Sequence, residues 1–431
     1  MIREVVGALT LMAWMAVGEA RVPRYSTTAP YAALINVKTG GVVYEKAGDA
    51  RCDPASAMKI ATAGVILEGG YDLDQRLTAS KELVGVYSGQ QRLKVLERIP
   101  HALERNGTHM SIAAGEVLSV RDMLHGLMMI SANDAANVMA AGLEGSVEEF
   151  VRKMGLFVER AGCTGTQFVN PHGLHHPEHY STAKDMARIM RRCLSQPLFR
   201  EMANKKFYRI APTNKSAERL MAPSNRLVKK SKYTYGKSLG GKTGQCFVAR
   251  GKNLVSAAAD RGLEVAVAVL DCKTYDECYE ETIRLCETAF ARGHEKRQFL
   301  QAGLQPFKKR LKGSSQALET WTRRPVEVDV FRGEILEVQK KVIWQKVQLP
   351  ISKGDVVGRV AIFNPLGELL VSEPLLAREN IQADLLHKVA AGSSAMWEIL
   401  SARTNGPGLA VMAMMALGGL ARFARGRNRR Q

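Results

Sequence analysis

The stretch "DPASAMKIATAG", Asp53–Gly64, decides how this chain is read. Asp53 is a good helix cap and Pro54 suits a first helical position, so a helix is predicted to begin here. Ser56 then lies in the first turn, where backbone N–H groups have no partner inside the helix. Lys59 follows three residues later on the same face. A serine so placed has an amine beside it and the positive end of a helix dipole to hold an anionic intermediate. Asp53 is expected to compete for the Ser56 N–H. The pattern Ser-x-x-Lys is weak by itself, because Ser181-Thr182-Ala183-Lys184 repeats it at another predicted helix start.

Two further elements give it weight. "MMISANDAANVMA" places Ser131-Ala132-Asn133 at a junction between helical segments, where Ser131 otherwise reads as a cap with Asp134 three residues on. "SLGGKTGQC" places Lys242-Thr243-Gly244 before a hairpin, where a solvated lysine on a glycine-rich strand edge is the plainer alternative. The ordered set S-x-x-K, S-x-N, K-T-G matches the motif trio of the penicillin-binding serine acyltransferases. The Ser181 copy falls after the S-x-N element and is assigned to helix capping.

On these residues the chain resembles the low-molecular-mass penicillin-binding proteins, the serine-type D-alanyl-D-alanine carboxypeptidases of bacterial cell-wall metabolism. "ALINVKTGGVVYEKAGDARCDPASAMKIATA", "SVRDMLHGLMMISANDAANVMA", "FVNPHGLHHPEHYSTAKDMA" and "GGKTG" follow the family's pattern, and "ISKGDVVGRVAIFNPLGELLVSEPLLA" is similar to its C-terminal β domain. The resemblance implies an α/β (α+β) fold: a transpeptidase-type domain with an antiparallel sheet flanked by helices, a small all-β domain, and a membrane-anchoring tail. It implies that Ser56 attacks the penultimate D-alanine carbonyl of a peptidoglycan stem peptide, and that a β-lactam acylates the same serine. Lys59 would take the serine proton, its pKa lowered by Lys242 and the helix N-terminus. Ser131 would relay a proton to the leaving amine, and Asn133 would orient Lys59 or the substrate amide. Lys242 and Thr243 would bind the terminal carboxylate at the strand edge that carries Gly244. The backbone N–H groups of Ser56 and Gln245 would form the oxyanion hole.

Departures from the pattern are the fillings Ala57-Met58 and Ala132, and "QCFVARGKN" after Gly244 in place of an acidic, glycine-containing segment. A β-lactamase or a D,D-endopeptidase shares the motifs; no glutamate between Asn133 and Lys242 lies in a loop like that of the class A β-lactamases. A non-catalytic cell-wall-binding protein would have no need of Lys59 beside Ser56.

Around this centre, "YAALINVKTGGVVYEKAGDA" and "KNLVSAAADRGLEVAVAVLDC" read as hairpins, and helical patterns dominate from Asp53 to about Arg192, with loops at "ERNGTHM" and "NPHGLHHPEHYS". A helix is expected through "DECYEETIRLCETAFARG". Alternating strands "VEVDVFRG", "KKVIWQKVQLPI", "GDVVGRVAIF" and "ELLVSEPL" follow. The expected organisation is a signal peptide over 1–20, a catalytic domain over 21–294, an all-β domain over 307–380 and an anchoring segment over 381–431.

The 431 residues are 46% apolar and 24% charged, as in a folded protein, and the net charge of +19 points to anionic surroundings. No zinc-finger, RNP-like or basic-zipper pattern accompanies it, so a membrane surface is favoured and no nucleic-acid partner is expected. "MIREVVGALTLMAWMAVGEA" has the cation, apolar run and small residues of a secretory signal. "GPGLAVMAMMALGGLA" followed by five arginines reads as an anchor, either spanning or lying on the periplasmic face of the inner membrane. Of seven cysteines, Cys272 with Cys278 and Cys52 with Cys246 are candidate pairs, and an odd count leaves at least one thiol over. His172, His175, His176 and His179 crowd a Pro/Gly loop. The family's similar loop has histidine without metal, so neither a metal nor a cofactor is expected.

Overall fold

The computed structural model describes residues 24–245 and 251–385. Its described residues divide into two units, one comprising those up to Arg297 with Asp329–Val338 and Asn364–Glu368, the other Gln298–Val328, Gln339–Phe363 and Leu369–Leu385.

The first unit is built on both expected hairpins. Strand β1 (Tyr31–Asn36) turns through Lys38–Gly41 into β2 (Val42–Lys46), with Gly40 at φ 77° in the turn. Ser238–Gln245 forms β3, and β4 (Lys252–Asp260) and β5 (Leu263–Cys272) make the second hairpin. Arg261 and Gly262 both have positive φ, the geometry that lets a two-residue turn match the strand twist. The five strands form an antiparallel sheet in the order β2-β1-β5-β4-β3, with Ile35 opposite Ala266 and Leu254 opposite Thr243.

Both sheet faces are covered, which is why "AAAD" and "VAVAVL" read as near-continuous apolar runs instead of alternating ones. Ala33, Ile35, Ala266 and Ala268 face a helical layer: α1 (Lys59–Glu68), α2 (Val120–Met129), α3 (Asn133–Glu144), α4 (Val147–Arg160) and α5 (Ala183–Cys193). Ala32, Leu34, Val265 and Val267 face α6 (Tyr275–Arg292) through Tyr279, Leu285 and Phe290. Four of these six helices start at side-chain caps: Ser119, Ser146, Thr182 and Thr274 each accept an N–H three residues on. The cap of α5 is therefore Thr182, not Ser181 as expected from the motif. Fully buried Ser181 instead bonds Thr166 through its hydroxyl, at 2.8 Å, and exchanges two backbone bonds with Cys52.

The second unit holds a five-stranded antiparallel sheet in the order β6-β7-β10-β9-β8: β6 (Gly303–Arg310), β7 (Ala317–Thr322), β8 (Gln339–Trp344), β9 (Val356–Phe363) and β10 (Leu369–Ala377). Leu318, Val357, Val360, Ile362 and Leu375 are fully buried in it. The strands at 303–310 and 317–322 were not expected; the first carries only one buried residue, Gln305, which leaves no apolar alternation to read. The expected 1–20 signal, the expected anchoring segment beyond Leu385, and Cys246 lie outside the described residues; Ile381, at the start of that segment, is buried and pairs with Ile351. Cys272 and Cys278 are not disulfide-bonded, and Cys278 Sγ donates to the Lys252 carbonyl at 3.2 Å.

Candidate active site

Ser56 sits in a 3₁₀ turn, Ala55–Met58, that runs directly into α1, so the helical path begins one residue later than Pro54 suggested. Asp53 takes the Ala55 N–H at 2.8 Å, not that of Ser56. The Ala57 N–H bonds the Pro54 carbonyl at 3.1 Å. The Ser56 N–H is left out of both bonds. Ala55 has φ 46°, an unusual state for a residue with a Cβ, and it persists where Gly173 and Gly244 press against the turn. Asn253 Nδ2 holds the Asp53 carbonyl at 3.0 Å. Gly244 of β3 lies so close that a Cβ there would meet Ala57 N and Pro54 O at 2.7 Å. A Cβ on Gly173, at φ 78°, would meet the Ala55 carbonyl at 2.4 Å.

Lys59 is completely buried. Its Nζ lies 2.9 Å from Ser56 Oγ and 2.7 Å from Asn133 Oδ1, and it also donates to the His172 carbonyl. Every one of these partners is neutral. Burial pushes the Lys59 amine well below lysine's ordinary value, the Lys242 charge pushes the same way, and the Asp134 carboxylate pulls weakly back. A neutral amine here has two N–H groups for Asn133 and the His172 carbonyl and one lone pair for the Ser56 hydroxyl. An amine in that state beside a serine hydroxyl can take up its proton.

The other motif residues close around this pair. Ser131 has φ 66° and a buried Oγ with no hydrogen-bond partner among the described residues. Lys242 is completely buried and donates to the Thr243 carbonyl at 2.9 Å; burial lowers its pKa to about 7. Thr243 Oγ1 lies 3.0 Å from Ser224 Oγ, and Tyr275 donates to the Gly244 carbonyl at 3.2 Å. A cavity of about 230 Å³ opens in front of Ser56, with Asn133 and Gln245 in its wall. Lys59, Ser131, Lys242 and Thr243 are buried and are not among the residues that line it.

Residues 17–274 match the family model of the D-alanyl-D-alanine carboxypeptidases, and residues 294–383 that of the penicillin-binding protein 5 C-terminal domain. The chain belongs to the D-alanyl-D-alanine carboxypeptidase family. It is 29% identical over 368 residues to the carboxypeptidase DacF of Bacillus subtilis, covering 82% of this chain and 86% of that one. It is 27% identical to DacC of Escherichia coli, covering 81% and 83%. Penicillin-binding protein 5 of Haemophilus influenzae has the same fold, with a TM-score of 0.59 over 84% of this chain and 99% of that one at 24% identity. The protein is a serine D-alanyl-D-alanine carboxypeptidase of the penicillin-binding type.

Several parts of this carboxypeptidase's site had no motif to announce them. Asp134 does not serve a Ser131 cap; its carboxylate accepts the Met110 and Ile112 N–H groups, both at 3.0 Å, and so pins the "NGTHM" loop beside Asn133. Arg92 is buried and spans two loops, donating to the Ala102 carbonyl at 2.8 Å and the His175 carbonyl at 3.0 Å. The histidine-rich loop acts through its backbone as well as its rings. His172 offers its carbonyl to Lys59, and its ring accepts from the Leu174 N–H at 3.1 Å. His175 Nδ1 lies 2.9 Å from Asp53 Oδ2. Among the described residues no group of three or more His, Cys, Asp or Glu side chains is arranged to hold a metal.

Proposed function

We propose that Ser56 is the residue through which the carboxypeptidase works, and that Lys59 is its base. Buried Lys59, bonded to Ser56 Oγ with no carboxylate on its Nζ among the described residues, carries this reading. Ser56 Oγ attacks the carbonyl of the penultimate D-alanine while its proton passes to Lys59 Nζ. The tetrahedral oxyanion is held by backbone N–H groups, with that of Ser56 left available by the Asp53 and Pro54 bonds. Collapse breaks the peptide bond, and the terminal D-alanine leaves with the proton returned from Lys59, relayed by Ser131. Asn133 fixes the Lys59 rotamer, and Lys242 and Thr243 attract the terminal carboxylate at the β3 edge. Water then hydrolyses the ester, whereas a β-lactam leaves an adduct on the same oxygen.

The test is D-alanine release from a pentapeptide ending in D-Ala-D-Ala, together with intact mass after mixing with penicillin. Ser56→Ala is expected to lose both the release and the adduct; either one surviving overturns the assignment.

The same reading has the chain exported by its 1–20 segment and held by its 381–431 segment on the periplasmic face of the inner membrane, attracted by anionic headgroups. The apolar run and arginine cluster near the C-terminus support this. Fractionation of cells expressing the full chain and a version ending at residue 380 tests it. The full chain is expected with membranes and the shorter one in the soluble periplasm; equal distribution overturns it.

A further inference from the structure

The cavity in front of Ser56 has a second wall that the mechanism above does not use. Asp53, Leu174 and His175 line it, facing the same space as Ser56, Asn133 and Gln245. His175 Nδ1 and Asp53 Oδ2 are 2.9 Å apart. A carboxylate only accepts, so with the ring neutral Nδ1 carries the proton and Nε2 keeps its lone pair. Nε2 has no hydrogen-bond partner among the described residues, and the His175 side chain is 35% exposed against 12% for Asp53.

The pair is held firmly. Asp53 is anchored by the Ala55 N–H on its carboxylate and by Asn253 on its carbonyl. The loop bearing His175 is fixed by Asn170, which bonds the Gly173 N–H at 2.7 Å and the Leu174 carbonyl at 3.0 Å, and by Arg92 on the His175 carbonyl. An imidazole oriented by a carboxylate beside a nucleophilic serine has the parts of a general base. Lys59 is poorly placed to activate water. It is completely buried behind Ser56, with its Nζ engaged by Ser56, Asn133 and the His172 carbonyl. Water reaches the acyl-enzyme from the cavity side.

We propose that the Asp53–His175 pair is a second catalytic device of this carboxypeptidase, dedicated to deacylation, with His175 as the base that activates the hydrolytic water. The inference rests on the reading of Ser56 as the acylated residue. In the step, a water hydrogen passes to His175 Nε2 as its oxygen bonds the ester carbonyl carbon. The tetrahedral intermediate then breaks its bond to Ser56 Oγ, and that oxygen regains a proton from the imidazolium, directly or through Lys59. Water is added across the ester, and the enzyme returns to its starting state. Acylation runs through Lys59, so the two half-reactions use different bases.

The experiment separates the half-reactions on the full chain in detergent. Protein is mixed with excess penicillin, adduct growth is followed by intact mass, free drug is removed, and adduct decay is timed. His175→Asn keeps a donor toward Asp53 and removes the Nε2 base. It is expected to acylate within about twofold of the wild-type rate and to lose the adduct at least about tenfold more slowly. In His175→Ala, added imidazole is expected to speed the decay in proportion to its concentration, which a purely structural histidine would not allow. Wild-type decay in His175→Asn, an acylation rate falling in step with decay, or no response to imidazole overturns the proposal. A wild-type protein that forms no adduct overturns the Ser56 reading first, and this inference with it.

Discussion

The chain writes Ser-x-x-Lys twice, at Ser56–Lys59 and Ser181–Lys184, each beside a helix start, and the two copies have opposite chemistry. Lys59 is completely buried among neutral partners, and burial together with Lys242 holds its amine well below the ordinary lysine range. Lys184 lies 2.6 Å from Asp49 and 2.8 Å from Glu45. Its partial burial pulls its pKa down, but the hydrogen bonds to those two carboxylates outweigh this and raise it. Ser56 faces a cavity, whereas Ser181 is fully buried and pairs its backbone with Cys52, four residues before Ser56. The second copy thus helps hold the segment that carries the first. The motif supplies the atoms; the surroundings decide whether the lysine is a base or a cation.

The comparison breaks most directly at the serines. Ser56→Ala should abolish D-alanine release and β-lactam adduct, a fall of about 10⁴-fold or more. Ser181→Ala should leave both within about twofold, read by D-alanine assay. A next contrast lies in the lysines. Lys59→Arg installs a group that does not deprotonate in proteins, so acylation should fall by about 10²–10⁴-fold, while Lys184→Arg should acylate within about twofold. With Lys59 as the proposed base, its neutral amine is the active form. Acylation should therefore rise with pH along a limb lying below the ordinary lysine value of 10.5, measured with penicillin across that range.

Stability supplies a sharper version. Lys242 is charged in the unfolded chain up to 10.5 but only to about 7 when folded. Below pH 7 both states bind the proton and the burial cost is fully present. Between 7 and 10.5 the unfolded state binds more protons, so stability climbs with pH. Lys242→Met should be more stable than wild type at pH 6.5, by on the order of a few kcal/mol, with the gap closing toward pH 10.5 in denaturant titrations. The smallest effect belongs to Lys184→Ala, which should cost no more than about 1 kcal/mol, because such partly solvated ion pairs contribute little.

How much of this was legible follows from what local sequence encodes. The hairpins were readable because their turns need particular residues, and the trio because its spacing follows from backbone positions. The charge state of Lys59 was only partly readable. Its proximity to Lys242 was expected, but burial, the larger cause, depends on a layer of helices packed over α1. The His172 carbonyl on Lys59 had no signal, since a main-chain acceptor can come from any residue type. Ser181 and Thr182 are both good caps, and the choice of Thr182 was set by the backbone pairing of Ser181 with Cys52. Strand β6 carries no readable alternation because its exposed face and edge position place charged residues where apolar ones would mark a strand.

We propose that its surroundings, not its motif, make Ser56 the reactive serine. The most direct test is to trap the penicillin adduct on the full chain and map it by proteolysis and mass spectrometry. One equivalent is expected, on the peptide carrying Ser56, and none in Ser56→Ala. An adduct on the Ser181 peptide, or one that survives Ser56→Ala, would contradict it.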